Sequence, residues 1–193
     1  MSKGQLTDEF LTQSMDRINT TLARISKIIS GLKTISRESS DIKKEKVLLK
    51  TIFDDVLGLC TEKLKSNDVI LYFDQGAKEL NQEIFCDQIQ ISQVLINLIN
   101  NSYDAIGHLQ DKWIKIEFDF NNKNKIIKII DSGHGISEEQ KAKIFMPFFT
   151  TKDIGKGTGL GLSLSKTIME KHQGSLQVDS KNKNTCFILQ FPA

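Results

Sequence analysis

The sequence is poor in several features that would fix a class at once. Cysteine is scarce: Cys60, Cys86 and Cys186 are the only three, they form no CxxC pair, and their number is odd. This argues against a disulfide framework and for buried, reduced thiols. A dominant charge is missing too. Twenty-six Lys and Arg against 24 Asp and Glu leave a net charge of +2, too little to point to nucleic acid or an anionic membrane surface. No nucleic-acid partner is therefore expected. No apolar run approaches the roughly 20 residues of a membrane span. The start, Met1-Ser-Lys-Gly-Gln5, leads straight into an amphipathic pattern rather than a secretory signal. A cytoplasmic location is expected, with membrane anchoring of a longer parent protein left open. What remains is an ordinary globular composition, 39% hydrophobic and 26% charged over 193 residues, enough for one core plus an appendage.

The appendage comes first. Leu11, Met15, Ile18, Leu22, Ile25, Ile29 and Leu32 step alternately by four and three, with Ile28 and Ile35 widening the stripe. This heptad seam predicts a long helix over 6–38 that docks on other helices. Residues 1–40 are read as a helical dimerisation segment, 41–46 as a linker and 47–193 as the globular domain. Leu49, Ile52, Phe53, Val56, Leu57, Cys60 and Leu64 predict an amphipathic helix ending near Asn67, with a strand over 69–74. Asp87 and Gln90 stand in capping-box spacing at the start of a helix over 88–107. Ile114, Ile116, Phe118 and Phe120 alternate with polar residues and predict a half-buried strand, which returns through 125–130. Ser137 and Gln140 form a second capping box, for a short helix reaching about Phe145. A last helix is expected from Gly159 to His172, closed by a left-handed Gly174, and a hairpin over 175–179 and 185–191 ends the chain. Strands and helices mix without regular βαβ repeats. The expected class is α+β, a two-layer sandwich of a mixed sheet with helices on one face.

Three segments carry chemistry. In the helix over 88–107, Gln93, Asn97, Asn101 and Asp104 share one face, opposite Ile91, Val94, Leu95, Leu98, Ile99, Ala105 and Ile106. Amide oxygens in such a stripe suit Mg²⁺, which prefers oxygen donors and shares substrate phosphates. In Asp131-Ser-Gly-His-Gly-Ile136, a carboxylate at a strand end can accept the exocyclic amine of adenine. Gly133 and Gly135 let backbone approach the ring, and Ile136 can pack on it. Finally, Gly155, Gly157, Gly159 and Gly161 alternate with Lys156, Thr158 and Leu160 immediately before a helix. Glycine-rich backbone opening into a helix N-terminus suits a triphosphate. The loop lacks GxxxxGK(S/T), and no βαβ unit surrounds it, so it is neither a Walker A nor a Rossmann loop. Leu160 and Leu162 are expected to anchor this lid, Lys152 to approach a γ-phosphate, and Phe145, Phe148 and Phe149 to serve as core and lid anchors.

Taken in order, Asn97-Leu-Ile-Asn-Asn101, Asp131-Ser-Gly-His-Gly-Ile136, Phe148-Phe-Thr-Thr-Lys152 and Gly157-Thr-Gly-Leu-Gly-Leu162 resemble the catalytic and ATP-binding domain of sensor histidine kinases. The wider family includes gyrase, Hsp90 and MutL. The resemblance implies ATP and Mg²⁺ as cofactors, with Asn101 as the metal ligand and Asn97 near the terminal phosphates. It implies that Thr185 backs Asp131 at the adenine. Met146 departs from the glutamate usual at its position. Asn97 also stands where gyrase-like relatives carry a water-activating glutamate. An amide cannot act as a general base, so transfer to an acceptor is expected rather than efficient hydrolysis.

The resemblance further implies a phosphoacceptor histidine on a helical hairpin, then transfer to an aspartate of a response regulator, and a homodimer through the N-terminal helix. The chain's histidines are His108, His134 and His172. None lies on the heptad seam or precedes an acidic residue. Residues 6–38 resemble the second hairpin helix, so the acceptor is expected outside this chain. A serine kinase of the anti-sigma type shares the ATP site, but the long heptad helix and the Phe-Phe-Thr-Thr-Lys segment disfavour it.

Overall fold

The computed structural model describes residues 8–36, 43–74, 78–121, 124–153 and 157–192. Helix α1 spans Asp8–Ser36. Its seam residues Leu11, Met15, Ile18, Leu22, Ile25 and Ile29 are exposed, between 45% and 59%, so this stripe is uncovered in a single copy. The side chains of Ile28, Leu32 and Ile35, and residues 41 and 42 of the expected linker, lie outside the described residues.

The globular domain begins with a departure from the sequence reading. Strand β1, Glu45–Leu48, occupies the end of the expected linker and runs directly into helix α2, Leu49–Lys65. It pairs antiparallel with β3, Glu83–Cys86, in a small separate sheet. Four residues are too few for a period-two pattern to stand out. The pairing closes the chain around α2, whose first N–H (Leu49) donates to Gln82 O at 2.9 Å.

The main sheet has five strands in the order β2-β4-β5-β7-β6. These are β2 Ile70–Phe73, β4 Trp113–Phe120, β5 Lys125–Asp131, β6 Ser175–Val178 and β7 Cys186–Phe191. The β2–β4 pair is parallel and the others are antiparallel, so the sheet is mixed. In register, Ile114, Ile116 and Phe118 of β4 stand beside Asp131, Ile129 and Ile127 of β5. All point to the face covered by α2, helix α3 (Gln88–Ile106) and helix α5 (Gly161–Lys171). Ile91, Val94, Leu95, Leu98, Ile99 and Ile106 of α3 are fully buried against them, each stabilising the fold by about 1.5–3 kcal/mol. Phe53 of α2 meets Phe73 and Phe118 edge-on, both at 5.5 Å. The result is the expected two-layer α+β sandwich. Ala105, expected on the buried face of α3, is exposed instead.

The caps show where local signals are overruled. Ser137 and Gln140 form the full reciprocal box at helix α4, Glu138–Lys141. This helix is a single turn, with turns following to Phe145. Asp87 accepts from Gln90 N at 3.0 Å, but its own N–H donates to His172 Nε2 at 3.0 Å, so the reciprocal half is taken by a residue 85 positions away. After α5 the left-handed residue is Gln173 (φ 60°), not Gly174. Gly174 is required for space instead, because a Cβ there would collide with Gln190 O of β7.

Candidate active site

Asp131 ends β5 and is 1% exposed. Its Oδ1 accepts the Gly133 N–H at 2.9 Å. The Ser102 and Thr185 hydroxyls also face the carboxylate, and its own N–H is held by Thr185 O at 3.0 Å. Burial pushes the Asp131 carboxyl up from the usual carboxylate range, while the Gly133, Ser102 and Thr185 donors pull it back. Gly133 has no room for a side chain: a Cβ would lie 2.8 Å from Asp131 Oδ1 and 3.3 Å from Thr185 Oγ1. Gly135 adopts φ 83°, open to glycine at no cost. Asn184 Nδ2 donates to Gly133 O at 3.0 Å and ties this turn to the final hairpin.

The amide stripe of α3 faces the same space. Asn97 Nδ2 donates to Ser165 Oγ of α5 at 3.0 Å. The N-terminus of α5 closes over this amide, and a Cβ at Gly161 would collide with Asn97 Oδ1. Gly159 (φ 66°) approaches the backbone of Phe148 so closely that any Cβ would overlap it. Phe148 itself has φ 67° and is 62% exposed. It is therefore not an anchor as expected: the tight crossing beneath Gly159 turns its ring outward. Phe145 and Phe149 do pack on the core, Leu160 is buried and Leu162 packs beside it. Gly155 and Lys156 lie outside the described residues.

Lys152 crosses the mouth of this space. Its Nζ lies 3.2 Å from Asn101 Oδ1 and 2.5 Å from Asp104 Oδ2. In the structure the ammonium is thus held by Asn101, the amide expected to ligate the metal, together with the Asp104 carboxylate three residues on. One neutral amide oxygen and one carboxylate oxygen converging on a single cation fit the hard-donor preference of Mg²⁺, which fills its remaining positions with water and phosphate.

Of the described residues expected to bind nucleotide or metal, all except Gly133 line one cavity of about 900 Å³, at the upper end of the range for small-molecule and cofactor sites. Within its lining, Thr185 stands against Asp131, Lys152 against Asn101 and Asp104, and the lid glycine Gly161 against Asn97. Gly133 acts from beneath, through its N–H. Three contributors were silent in the sequence. Ser102 lies beside the Asp131 carboxylate, Ser165 accepts from Asn97, and Ser26 brings α1 to the cavity lining. An isolated serine in a helix carries no signal of its own until its tertiary partner is known.

Residues 86–193 match the model of the histidine kinase-, DNA gyrase B-, and HSP90-like ATPase family. The chain is 34% identical over 170 residues to sensor histidine kinase ZraS of Escherichia coli, covering 88% of this chain and 35% of that protein. It is 33% identical over 180 residues to sporulation kinase A of Bacillus subtilis, covering 92% of this chain and 28% of that one. The chain thus spans about a third of the length of these relatives. Among solved structures, the catalytic domain of histidine kinase ThkA superposes with a TM-score of 0.68 at 32% identity, over 78% of this chain and 96% of that one. ThkA in complex with the response regulator TrrA gives 0.76 at 27% identity, over 98% and 53%. The chain belongs to the histidine kinase-, DNA gyrase B-, and HSP90-like ATPase family, as an ATP-binding catalytic domain of the sensor histidine kinase type.

Proposed function

We propose that this chain binds Mg-ATP in the cavity between α3, β5 and the lid and transfers the γ-phosphate to a histidine outside itself, as the first step of a two-component phosphorelay. The observation that carries the reading is one cavity lined both by a buried carboxylate, Asp131, and by a converging oxygen pair, Asn101 and Asp104. Asp131 accepts the adenine amine while Gly133, Ser102 and Thr185 hold it in place, and Ile136 packs on the ring. The N–H groups along Gly157–Leu162 and the N-terminus of α5 receive the phosphates. Asn101, with Asp104 beside it, holds Mg²⁺, which when bound offsets the charge of the β- and γ-phosphates.

Asn97, fixed by Ser165, orients the terminal phosphate but cannot take a proton from water. In the transfer, the bond from the γ-phosphorus to the bridging oxygen breaks, a bond to an imidazole nitrogen forms, and ADP leaves. Catalysis is positioning and charge stabilisation. The acceptor sits on a helix that packs with α1, whose uncovered seam also supports a homodimer. A response-regulator aspartate receives the phosphoryl group next. The segment 1–40 serves dimerisation and 47–193 the chemistry.

A Mg²⁺-dependent nucleotide titration tests the reading. Asn101→Ala should raise the Mg²⁺ concentration needed for ATP binding about tenfold, the loss of one charge-assisted contact, while leaving the melting temperature nearly unchanged. An unaltered Mg²⁺ titration would remove Asn101 from the metal site.

A further inference from the structure

The stem and head of Lys152 are both accommodated by the site, and this carries an inference beyond the phosphate contact expected of it. The Lys152 N–H donates to Thr150 Oγ1 at 3.2 Å, which fixes the turn. A Cβ at Gly157 would lie 3.3 Å from both Cβ and Cδ of Lys152 and 2.6 Å from Thr150 Oγ1. The lid glycine therefore leaves the groove along which the lysine stem runs. At its end the ammonium meets Asn101 Oδ1 and Asp104 Oδ2 together, while remaining about one-third exposed.

We propose that Lys152 is a tethered cation that occupies the metal position of the nucleotide-free domain and is exchanged for Mg²⁺ when nucleotide enters. The inference rests on the Mg-ATP reading of the same site. With no metal present, Asn101 and Asp104 would expose two converging oxygens, one of them charged, and the ammonium satisfies both. A divalent ion cannot share that position, because the ammonium and the metal repel at contact distance. The displaced Nζ then moves toward phosphate, reached by rotation of its own stem within the Gly157 groove. Lys152 thus sets the metal requirement: it opposes metal binding without nucleotide and stands in for part of the metal's charge when nucleotide arrives alone.

The test uses Mn²⁺ as the metal probe and a non-hydrolysable ATP analogue, on the full chain. Mn²⁺ alone should bind Lys152→Met about fivefold or more tightly than the parent chain, the equivalent of a partly exposed ion pair of ~1 kcal/mol. Adding Asp104→Asn to that variant should cancel the gain. In the presence of a chelator, the analogue should bind Lys152→Met more weakly than the parent. Equal Mn²⁺ affinity in parent and Lys152→Met, with both melting alike, would overturn the proposal even if Mg-analogue binding is normal. Failure of the parent chain to bind the analogue at saturating Mg²⁺ would instead overturn the nucleotide reading, and the arm with Mn²⁺ alone would still decide the role of the lysine.

Discussion

Replacing Asp131 by Asn separates recognition from folding. The side chain is 1% exposed and accepts from Gly133 N at 2.9 Å, with Ser102 and Thr185 hydroxyls around it. An amide has the same shape and keeps one acceptor oxygen for the Gly133 N–H. It loses the charge and presents an NH₂ group either to the adenine amine or to the donors behind it. A hydrogen bond to a charged group is worth ~1.5–3 kcal/mol, and a buried donor left facing a donor costs a further ~1–3 kcal/mol. The sum predicts at least a hundredfold loss of ATP affinity, about 3 kcal/mol or more. Stability should change much less, because relief of the buried charge offsets the cost of any donor left unpaired. Burial already raises the Asp131 carboxyl above its ordinary value, so the folded state bears a cost for the charged form that the amide removes. Isothermal titration with ATP and a thermal melt on the same preparation read both quantities. Affinity within threefold of the parent chain in a variant that melts normally would refute the adenine assignment.

Other consequences follow from particular contacts. Gly159→Ala forces a side chain into a backbone with φ 66° and onto the Phe148 main chain; it should lower stability by about 1–3 kcal/mol and nucleotide affinity with it, read by denaturant unfolding and titration. His172 is buried, its Nδ1 bonding Ile168 O at 2.8 Å and its Nε2 accepting from Asp87 N, and burial, helped by the charge of Lys44, holds it below 6.5. The unfolded chain therefore takes up a proton that the folded one refuses. The His172 contribution is complete above about pH 6.5 and is lost as pH falls from there through the lowered folded value, with a slope of at most ~1.4 kcal/mol per pH unit. His172→Gln should flatten that part of the stability profile; an unchanged slope would exclude His172 as its source.

Legibility from sequence followed the range of the interactions. The α3 stripe, the alternation of β4 and the Ser137–Gln140 box are set by neighbours within a turn or a strand, and the structure reproduces them. The two-stranded β1–β3 sheet joins segments nearly forty residues apart, and neither four-residue piece announces itself. Asp87 shows the same limit at one atom: its side chain obeys the local capping rule, while its N–H is claimed by His172, the C-cap of α5. Gly174 was legible as a special residue but for the wrong reason, since the contact that requires it comes from β7. Within the site, the residues that the sequence singled out on α3, after β5 and in the lid line one cavity. The partners Ser102 and Ser165 were hidden because only packing brings a helical serine to a carboxylate or an amide. Lys152 was legible as a site cation, but its seat between Asn101 and Asp104 is a tertiary fact.

The most direct test of the central claim is to incubate the chain alone with γ-labelled Mg-ATP and score bound nucleotide, protein-bound label and released phosphate together. The account predicts saturable binding with no label on the chain and no steady phosphate release, because the acceptor histidine lies elsewhere and Asn97 cannot activate water. Acid-labile label on His108, His134 or His172, or sustained release of phosphate, would contradict it.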